Sequence, residues 1–289
     1  MNGILLVDKP QGWTSNDVVI KLKGIIHQRR IGHSGTLDPM ATGLLVVFLG
    51  RATRAVEFSE AQTKRYVASL RLGVVTDTQD ITGNVISENA VYITQEQLEE
   101  RLKLFTGDIV QIPPMYSAIK VNGQRLYKIA RSGGEVERKG RSVRIENISV
   151  ADRDADDYIL DITCSKGTYI RTLCDDIGRS LGCGGCMSAL RRVSVGGFSV
   201  KNAHTLEEIE QKASSGEAES LIIPVDTLFS EYPRFAADER QEKRIRCGND
   251  TICAVPDGKY RVYSEDGEFL MLGRAENGRL YTVKSFFEV

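Results

Sequence analysis

The sequence contains no apolar run long enough to cross a bilayer, and its first residues, MNGILLVDKP, lack the basic start and long apolar stretch of a signal peptide. These absences predict a soluble cytoplasmic protein. The six cysteines lack the spacing of a small disulfide scaffold, which favours reduced thiols. With 289 residues, 41% of them hydrophobic, the chain can bury a sizeable core.

Motifs for cofactors and metals are also missing, and a nucleotide-binding fingerprint is absent. Asp77 and Asp80 are close in sequence, but the glycine and terminal glutamate of an EF-hand are lacking, so these carboxylates predict a structural turn. Cys183 and Cys186 form a single CxxC pair without a second pair at suitable spacing, which is weak support for zinc. We expect no metal and no cofactor.

Positive charge is not in excess, and a net charge of −1 argues at first against RNA binding, because phosphate contacts come from lysine and arginine. The distribution of charge changes this interpretation. Between Ile119 and Arg144 eight basic residues stand against two acids, and a second basic stretch runs from Lys21 to Arg30. Basic segments on a neutral chain suit a protein that docks RNA on one face, and they suit ordinary solvated surface equally well.

The segment from Gly32 to Leu45, GHSGTLDPMATGLL, has the composition of a rigid site loop. Gly32 and Gly35 permit backbone angles that other residues avoid, and Pro39 holds Asp38 outside the helical region. The apolar run that follows predicts a buried strand or a short helix that anchors the loop. Such a loop suits a reactive carboxylate, although an isolated Asp-Pro pair is more often a simple turn.

Two later segments supply candidate partners for Asp38. The residues from Lys64 to Gly73 alternate as a half-buried strand would, with Tyr66 on the apolar face. In the string CSKGTYIRTLCDDIG, Thr168 predicts a helix cap and places Arg171 in the first turn of the helix. Arginine there conflicts with the helix dipole, so we expect an anion to compensate it.

The stretch from Met115 to Arg131, MYSAIKVNGQRLYKIAR, combines a hairpin signal at Asn122-Gly123 with a short basic helix. The glycines at 133 and 134 interrupt that helix. A basic, glycine-interrupted excursion predicts a mobile flap rather than a part of the core.

The strings GHSGTLDPMATGLL, KRYVASLRLGVVTDTQDITG and CSKGTYIRTLCDDIG resemble, in this order, the three catalytic motifs of the TruB family of tRNA pseudouridine synthases. DKPQGWTS, the segment from Met115 to Arg131 and the string LRR at 190–192 also resemble that family, and the likeness covers nearly the whole chain. It implies an isomerase that flips uridine 55 out of the tRNA T loop and converts it to pseudouridine. Cys186 is a local departure, because histidine is expected there.

The resemblance also implies roles for individual residues. Asp38 is expected to be the catalytic carboxylate, Tyr66 to lie against the target base, and Arg171 to pair with Asp38. That pairing is expected to lower the pKa of Asp38 and to keep it ionised. The other residues are expected to bind the substrate (His33, Tyr169, Leu190, Lys120, Arg125, Lys128 and Arg131) or to support the site (Lys9, Pro10, Gly32, Gly35 and Pro39).

From residue 234 onward the pattern changes to short apolar runs divided by turn signals, which predicts a small all-β barrel. Its position resembles the C-terminal PUA-type RNA-binding domain of the family. We therefore predict an α+β protein with two domains. Residues 1–232 form a catalytic domain on a mixed, mainly antiparallel sheet, with an RNA-gripping insertion at about 115–144, and residues 233–289 form the PUA-like domain.

The expected partner is the T stem-loop of tRNA, bound by a monomer without a membrane or an obligatory protein partner. Other functions stay open on the sequence alone. An RNA N-glycosidase would cut the same base–ribose bond, although glycosidases usually pair two carboxylates and only Asp38 lies in a motif built for chemistry. A noncatalytic RNA-binding or tRNA chaperone module would use the basic segment and the C-terminal β-barrel. The guide-RNA-dependent branch of the family is disfavoured by the lack of a long basic tail.

Overall fold

The computed structural model describes residues 1–117, 119–121 and 123–287, and its description of Lys120, Arg125 and Arg131 stops at the backbone. The strands are β1 (Gly3–Lys9), β2 (Ile31–Ser34), β3 (Thr42–Leu49), β4 (Lys64–Leu72), β5 (Val74–Thr76), β6 (Val85–Glu88), β7 (Gly107–Gln111), β8 (Lys120–Val121), β9 (Gln124–Arg125), β10 (Arg141–Asp154), β11 (Asp157–Cys164), β12 (Gly185–Val195), β13 (Phe198–Ser199), β14 (Arg234–Ala236), β15 (Thr251–Ile252), β16 (Gly258–Tyr263), β17 (Phe269–Glu276) and β18 (Arg279–Ser285).

The α-helices are α1 (Ser15–Ile25), α2 (Val56–Glu60), α3 (Gln95–Leu102), α4 (Leu126–Arg131), α5 (Ile170–Ser180), α6 (Leu206–Ser214) and α7 (Glu239–Arg246). Short 3-10 helices cover Gly50–Ala55, Lys103–Phe105, Val200–Asn202, Ala218–Leu221 and Val225–Phe229. Among the helices of the described ranges, none is long and apolar enough to span a membrane.

A nine-stranded sheet forms the body of the molecule. Its strand order is β1-β3-β12-β4-β11-β10-β7, with β2 beside β3 and β13 beside β12. The pairing is antiparallel throughout except between β12 and β3, which run parallel. The prediction of a mixed, mainly antiparallel sheet is confirmed. The middle strands β3, β12 and β4 bring three of the predicted motifs side by side.

The apolar run after the Asp38 loop is the strand β3, because both of its faces are covered. Leu44, Val46 and Phe48 pack in one hydrophobic cluster, while Leu45, Val47 and Leu49 pack in another that includes helix α1. A strand with two buried faces reads as a continuous apolar run rather than as an alternation. Strand β4 has one buried face, and Tyr66 lies on it as predicted.

A second sheet, ordered β14-β16-β17-β18-β15, lies after residue 233. It packs on the body through an aromatic cluster, in which the ring of Phe229 lies 6.1 Å from that of Phe269 and 5.8 Å from that of Phe286. The sequence prediction did not include β14, because a three-residue strand is too short to show a pattern. The prediction that this part is all-β is wrong, because Asp238 and Gln241 form a capping box that opens the helix α7. The described pairing follows an open path, so the structure gives a curled five-stranded sheet, and the PUA-like barrel and its domain boundary stay predictions.

Candidate active site

Asp38 lies in the loop between β2 and β3. Gly35 enters this loop in the left-handed region, at φ 70°, and a Cβ there would lie 3.1 Å from Nη1 of Arg192. Glycine is therefore required at this position for two reasons, conformation and space. Gly32 is different, because it lies in β2 without a positive φ, and a Cβ there would reach only ordinary contact with Thr53 at 3.8 Å. Gly32 therefore does not use the conformational freedom that glycine permits, and its support of the site stays a prediction.

Lys9, at the end of β1, holds the loop through backbone carbonyls. Its fully buried ammonium donates to the oxygens of Pro10 at 2.9 Å, Trp13 at 2.6 Å and Pro39 at 3.3 Å. The N–H of Gly12 donates to the same Pro39 oxygen at 2.8 Å. Burial lowers the pKa of Lys9 to about 8, against the opposing attraction of Asp38. The turn that follows Lys9 thus clamps the residue next to Asp38.

Helix α1 fixes the other side of Asp38. The Oγ of Ser15 accepts a hydrogen bond from the N–H of Leu37 at 2.9 Å and lies 3.2 Å from its carbonyl oxygen, to which it donates. Leu37 and Met40, which flank the Asp38-Pro39 pair, are both buried in the main hydrophobic cluster. Asp38 itself remains partly open, with 38% of its side chain exposed.

Arg171 is the partner of Asp38, as the sequence predicts. Its Nε lies 2.9 Å from Oδ2 of Asp38, and its Nη1 lies 3.4 Å from Oδ2 of Asp80. Backbone carbonyls take the remaining donors, because Nη1 donates to Thr78 at 3.2 Å and Nη2 to Tyr116 at 3.0 Å. The arginine side chain is only 6% exposed. The guanidinium is thus a buried cation between two carboxylates and two carbonyls.

The start of α5 differs from the prediction. The cap residue is Tyr169, and no side chain caps it, because the hydroxyl of Thr168 donates instead to the carbonyl of Ser165 at 3.0 Å. The side chain of Gln111 accepts from the N–H of Tyr169 at 3.0 Å. The anion expected near this helix end is present twice, as Asp38 and Asp80. Their charges offset the repulsion between the helix dipole and Arg171.

The pKa of Asp38 is raised, whereas the sequence argument predicts a lowered pKa. Burial raises it first, Arg171 opposes this effect, and the negative charge of Asp80 raises it further. Arg171 therefore compensates only part of the cost of burying the Asp38 carboxylate near Asp80. The expected pairing is confirmed in geometry, but its expected net effect on the pKa is wrong.

Tyr66 and Leu190 lie on neighbouring strands and share the hydrophobic cluster of Leu37 and Met40. In the register of β4 and β12, Tyr66 faces Arg192 and Ala68 faces Leu190. Burial raises the pKa of Tyr66, and the positive charge of Arg192 opposes that rise. The tyrosine is therefore a neutral, buried ring at neutral pH. These two side chains form an apolar wall next to the residues that flank Asp38.

Arg192 is a site residue that the sequence analysis did not single out. It is 1% exposed, its Nε donates to the carbonyl of Leu44 at 2.7 Å, and its Nη2 donates to that of Gly35 at 2.8 Å. The LRR string at 190–192 could have identified Arg192 as a site residue. Residues two apart on a strand share a face, so a pocket role for Leu190 places Arg192 beside the same pocket.

His33 lies on β2 opposite Val47 and is half-buried. Burial and the positive charge of Arg192 lower its pKa, so the imidazole is neutral at pH 7. Its buried Nδ1 has no hydrogen-bond partner within the described part of the chain. Tyr169 is also half-buried, and burial raises the pKa of its hydroxyl. The binding roles of both residues stay predictions.

The basic segment reaches the site through its backbone. Tyr116 accepts a hydrogen bond from Arg171, and the chain then forms the hairpin of β8 and β9 and the helix α4. Lys128 is exposed on α4. The side chains of Lys120, Arg125 and Arg131, and residue Asn122 of the predicted turn, lie outside the described residues. Their role in gripping RNA stays a prediction.

Asp80 is more than the turn residue that the sequence predicts. Its Oδ1 accepts from the N–H of Thr82 at 3.0 Å and from the hydroxyl of Thr78 at 2.9 Å, while its Oδ2 meets Arg171. Cys183 and Cys186 are both buried. In the described ranges, no group of three or more metal-ligating side chains is arranged to hold an ion.

Solved structures with the same arrangement define the fold. A Cbf5–Nop10–Gar1 complex contains a chain that is 26% identical, with a TM-score of 0.75 over 99% of this chain and 85% of that chain. An H/ACA ribonucleoprotein bound to a substrate RNA containing 2′-deoxyuridine gives 24% identity and a TM-score of 0.74, with the same coverage. The body of the molecule has the fold of the pseudouridine synthases.

Sequence comparison defines the family within that class. The N-terminal domain model of the TruB family pseudouridylate synthases matches residues 23–170, and the C-terminal domain model of tRNA pseudouridylate synthase B matches residues 171–230. The tRNA pseudouridine synthase B of Clostridium kluyveri is 40% identical over 99% of this chain and 100% of that protein. That of Dechloromonas aromatica is 44% identical over 100% of this chain and 96% of that protein. The chain belongs to the TruB family of pseudouridylate synthases and is an isomerase.

Proposed function

We propose that this enzyme converts uridine 55 in the T loop of tRNA to pseudouridine and that Asp38 is its catalytic carboxylate. The observation that carries the proposal is the partly exposed Asp38 carboxylate, which a buried guanidinium holds next to an apolar wall of Tyr66 and Leu190. Relatives that are 40–44% identical over nearly their whole length are named tRNA pseudouridine synthase B, which supports tRNA as the substrate.

The reaction breaks the bond between uracil and ribose, rotates the base, and rejoins it through carbon. Arg171 binds Oδ2 of Asp38, while Oδ1 has no hydrogen-bond partner among the described residues. One carboxylate oxygen is therefore fixed and the other is left for the substrate, as a nucleophile or as a base. A fixed orientation lowers the entropic part of the barrier, because the reacting groups need not find each other.

The flipped uracil leaves its stacking partners in the RNA, and the apolar wall replaces them. In the proposed complex, the ring of Tyr66 lies against the base and Leu190 forms the pocket side. The positive charge of Arg192 acts on the tyrosine hydroxyl, and the buried cluster packs the ring before the base arrives. His33 and Tyr169, half-buried beside this wall, are proposed to position the RNA.

An N-glycosidase would need a second carboxylate across the scissile bond. Asp80 is the nearby candidate, but one of its oxygens accepts from Thr78 and Thr82 and the other meets Arg171. Its side chain is only 6% exposed. A carboxylate with both oxygens engaged and little exposure is a poor acid or base for a substrate, which disfavours the glycosidase reaction.

The test is incubation of the protein with an unmodified tRNA transcript, followed by mapping of each uridine. Pseudouridine at position 55 supports the proposal, an abasic site indicates a glycosidase, and bound but unaltered RNA indicates a noncatalytic module. Asp38→Asn is expected to lower the single-turnover rate by about 10⁴-fold or more, while the Kd for tRNA changes by less than about threefold. Asp154→Asn, at an exposed position on β10, is the matched control.

The basic segment is tested by salt dependence. Replacing Lys120, Arg125, Lys128 and Arg131 by alanine is expected to weaken tRNA binding and to lower the slope of log Kd against log salt by about 0.7 to 0.9 for each lost phosphate contact. Lys103→Ala and Lys201→Ala, both at exposed positions outside the segment, serve as controls. Equal affinity for the quadruple variant at every salt concentration contradicts the gripping role.

A further inference from the structure

Gln79 has an unusual backbone for its residue type. Its φ is 65°, in the left-handed region that non-glycine residues rarely occupy. It lies between Thr78, whose carbonyl accepts from Arg171 at 3.2 Å, and Asp80, whose carboxylate lies 3.4 Å from the same Nη1. A costly conformation persists only where the surrounding structure holds it, and such positions cluster at functional sites.

The side chain of Gln79 connects this loop to α5. Its Oε1 accepts from the hydroxyl of Thr172 at 2.9 Å, and its Nε2 donates to Oδ2 of Asp175 at 2.8 Å. Both partners lie on the helix that carries Arg171, within about one turn of it. The backbone carbonyl of Gln79 accepts from the N–H of Met187 at 3.1 Å, at the start of β12. One residue thus ties the loop to a helix and to the central sheet.

We propose that Gln79 is a positioning residue for Arg171: it fixes the loop of Thr78 and Asp80 against α5, so that the guanidinium holds Asp38 in one orientation. This inference rests on the proposed role of Asp38. The left-handed φ directs the peptide groups on either side of Gln79 so that both neighbours reach Nη1 of Arg171. If the Gln79 side chain no longer binds α5, the strained loop relaxes. The Thr78 carbonyl and the Asp80 carboxylate then both shift relative to Nη1 of Arg171.

Gln79→Glu replaces a single atom of the side chain, the amide nitrogen, by oxygen, and the charges around that position determine its effect. Burial raises the pKa of Asp175, and Arg179 opposes that rise; burial, followed by the charge of Asp175, raises the pKa of Asp176 to about 6. Gln79→Glu keeps the acceptor for Thr172 but replaces the donor to Asp175 with a second carboxylate oxygen. The titratable and charged groups around this pair are Arg171, Cys174, Asp176 and Arg179 on α5, Asp77 and Asp80 in the loop, and Cys186 on β12.

At low pH one carboxyl of the new pair is protonated and donates to the other, so the loop keeps its position. At high pH both carboxylates are ionised and repel each other, so the loop is released. The ratio of the Gln79→Glu rate to the wild-type rate is therefore expected to be near one at pH 5.5 and to fall by about tenfold or more at pH 8.5. Because both proteins contain Asp38, the effect of its titration on the rate cancels in this ratio.

Asp175→Asn in the Gln79→Glu protein restores the hydrogen bond with donor and acceptor exchanged, because the asparagine amide donates to the glutamate. The rate ratio of this double variant is expected to be near one at every pH, with an unchanged Kd for tRNA. Asp175→Asn alone is the control. A flat, wild-type profile for Gln79→Glu overturns the proposal, and so does a loss that neither low pH nor the second substitution restores.

Two further measurements separate positioning from folding and from turnover. Gln79→Gly relieves the backbone strain but also removes the hydrogen bonds to Thr172 and Asp175, so its Tm is expected to fall only slightly while its rate falls. Full activity in Gln79→Gly overturns the proposal. The ¹⁵Nε signal of Arg171, assigned by its absence in Arg171→Lys, is expected to shift with pH in Gln79→Glu and not in the double variant. This signal needs no turnover, so it tests the position of Arg171 even if no pseudouridine forms.

Discussion

Two buried arginines lie at the site, and their surroundings differ. Arg171, on the α5 side, meets the carboxylates of Asp38 and Asp80. Arg192, on the β12 side, donates to two backbone carbonyls, and it has no ion pair within the described part of the chain. A buried guanidinium that meets two carboxylates is set to respond to changes of charge. One that meets neutral groups serves to hold the backbone in place.

The side of Arg192 also carries two further cations that form no ion pair within the described ranges. Lys9 and Lys64 are buried there, both donate to backbone carbonyls, and burial together with Arg192 lowers the pKa of each lysine to about 8. The cost of this cluster is offset by the carbonyls that it fixes, which include those of Gly35 and Pro39 on either side of Asp38. The comparison therefore predicts that changes near Arg171 affect the rate, and that changes near Arg192 affect stability.

Of the changes to the two arginines and their neighbours, Arg171→Lys is expected to have the largest effect. The lysine ammonium is a single point charge and cannot reach Asp38, Asp80 and the two carbonyls together, so Asp38 loses its fixed orientation. We expect the single-turnover rate to fall by about 10²- to 10³-fold with little change in the Kd for tRNA. Stopped assays with saturating enzyme measure the rate, and filter binding measures the affinity. A rate within threefold of wild type would contradict the expected effect of Arg171 on the rate.

Arg192→Met is expected to act mainly on stability. It removes the hydrogen bonds from Arg192 to the carbonyls of Leu44 and Gly35, and we expect a loss of about 2 to 4 kcal/mol in the free energy of unfolding. The rate of the folded fraction is expected to change by less than about tenfold, because no contact to Asp38 is removed. Urea denaturation and the single-turnover rate are measured on the same preparation. A loss of rate as large as that of Arg171→Lys would contradict a mainly structural role and indicate that Arg192 contributes to the reaction.

The two sides also differ in how far the sequence predicts them. Asp38, Tyr66 and Arg171 lie in long motifs, and the structure brings them together. The strand β4 is predictable because its one buried face shows a period of two, and the capping box of Thr94 and Gln97 opens α3 as the sequence pattern allows. These features depend on local residues, which the sequence shows directly.

What the sequence does not show depends on tertiary contacts. Asp80 reads as a turn residue, because its ion pair with Arg171 joins positions 91 residues apart. The raised pKa of Asp38 follows from burial, which a motif does not reveal. Residue type alone predicts the cap of α5 at Thr168, but a side chain from β7, Gln111, satisfies that helix end instead. In each case, contacts between residues that are distant in sequence outweigh the structure or pKa that the local sequence predicts.

Asp80→Asn tests how the second carboxylate partner of Arg171 affects Asp38. The charge of Asp80 raises the pKa of Asp38, so removing that charge lowers the pKa and moves the acid limb of the rate profile to lower pH. At neutral pH the rate is expected to fall by about tenfold, because Arg171 loses one charged partner. Single-turnover rates between pH 4.5 and 8 check both effects, with Asp77→Asn in the same loop as control. An acid limb that moves to higher pH contradicts the role of Asp80.

The smallest effect is expected on the side of Arg192, from Lys64→Met. The pKa of Lys64 is about 8 in the folded protein, against an ordinary lysine value of 10.5, so between these values the unfolded chain binds more protons. The contribution of Lys64 to stability therefore rises as the pH increases through this window and is smallest below pH 8. The difference in unfolding free energy between wild type and Lys64→Met is expected to shift in favour of wild type by about 1 to 2 kcal/mol between pH 7 and pH 10, after allowance for solvent screening.

Comparing the two proteins at each pH cancels the titration of all the other groups that they share. The same measurement in an Arg192→Met background tests the link between the two cations. Arg192 lowers the pKa of Lys64, so its removal raises that pKa toward the value of the unfolded chain and narrows the window. The shift between pH 7 and pH 10 is then expected to shrink. An unchanged shift would mean that burial alone sets the pKa of Lys64, and that the positive charges on this side of the site act independently of one another.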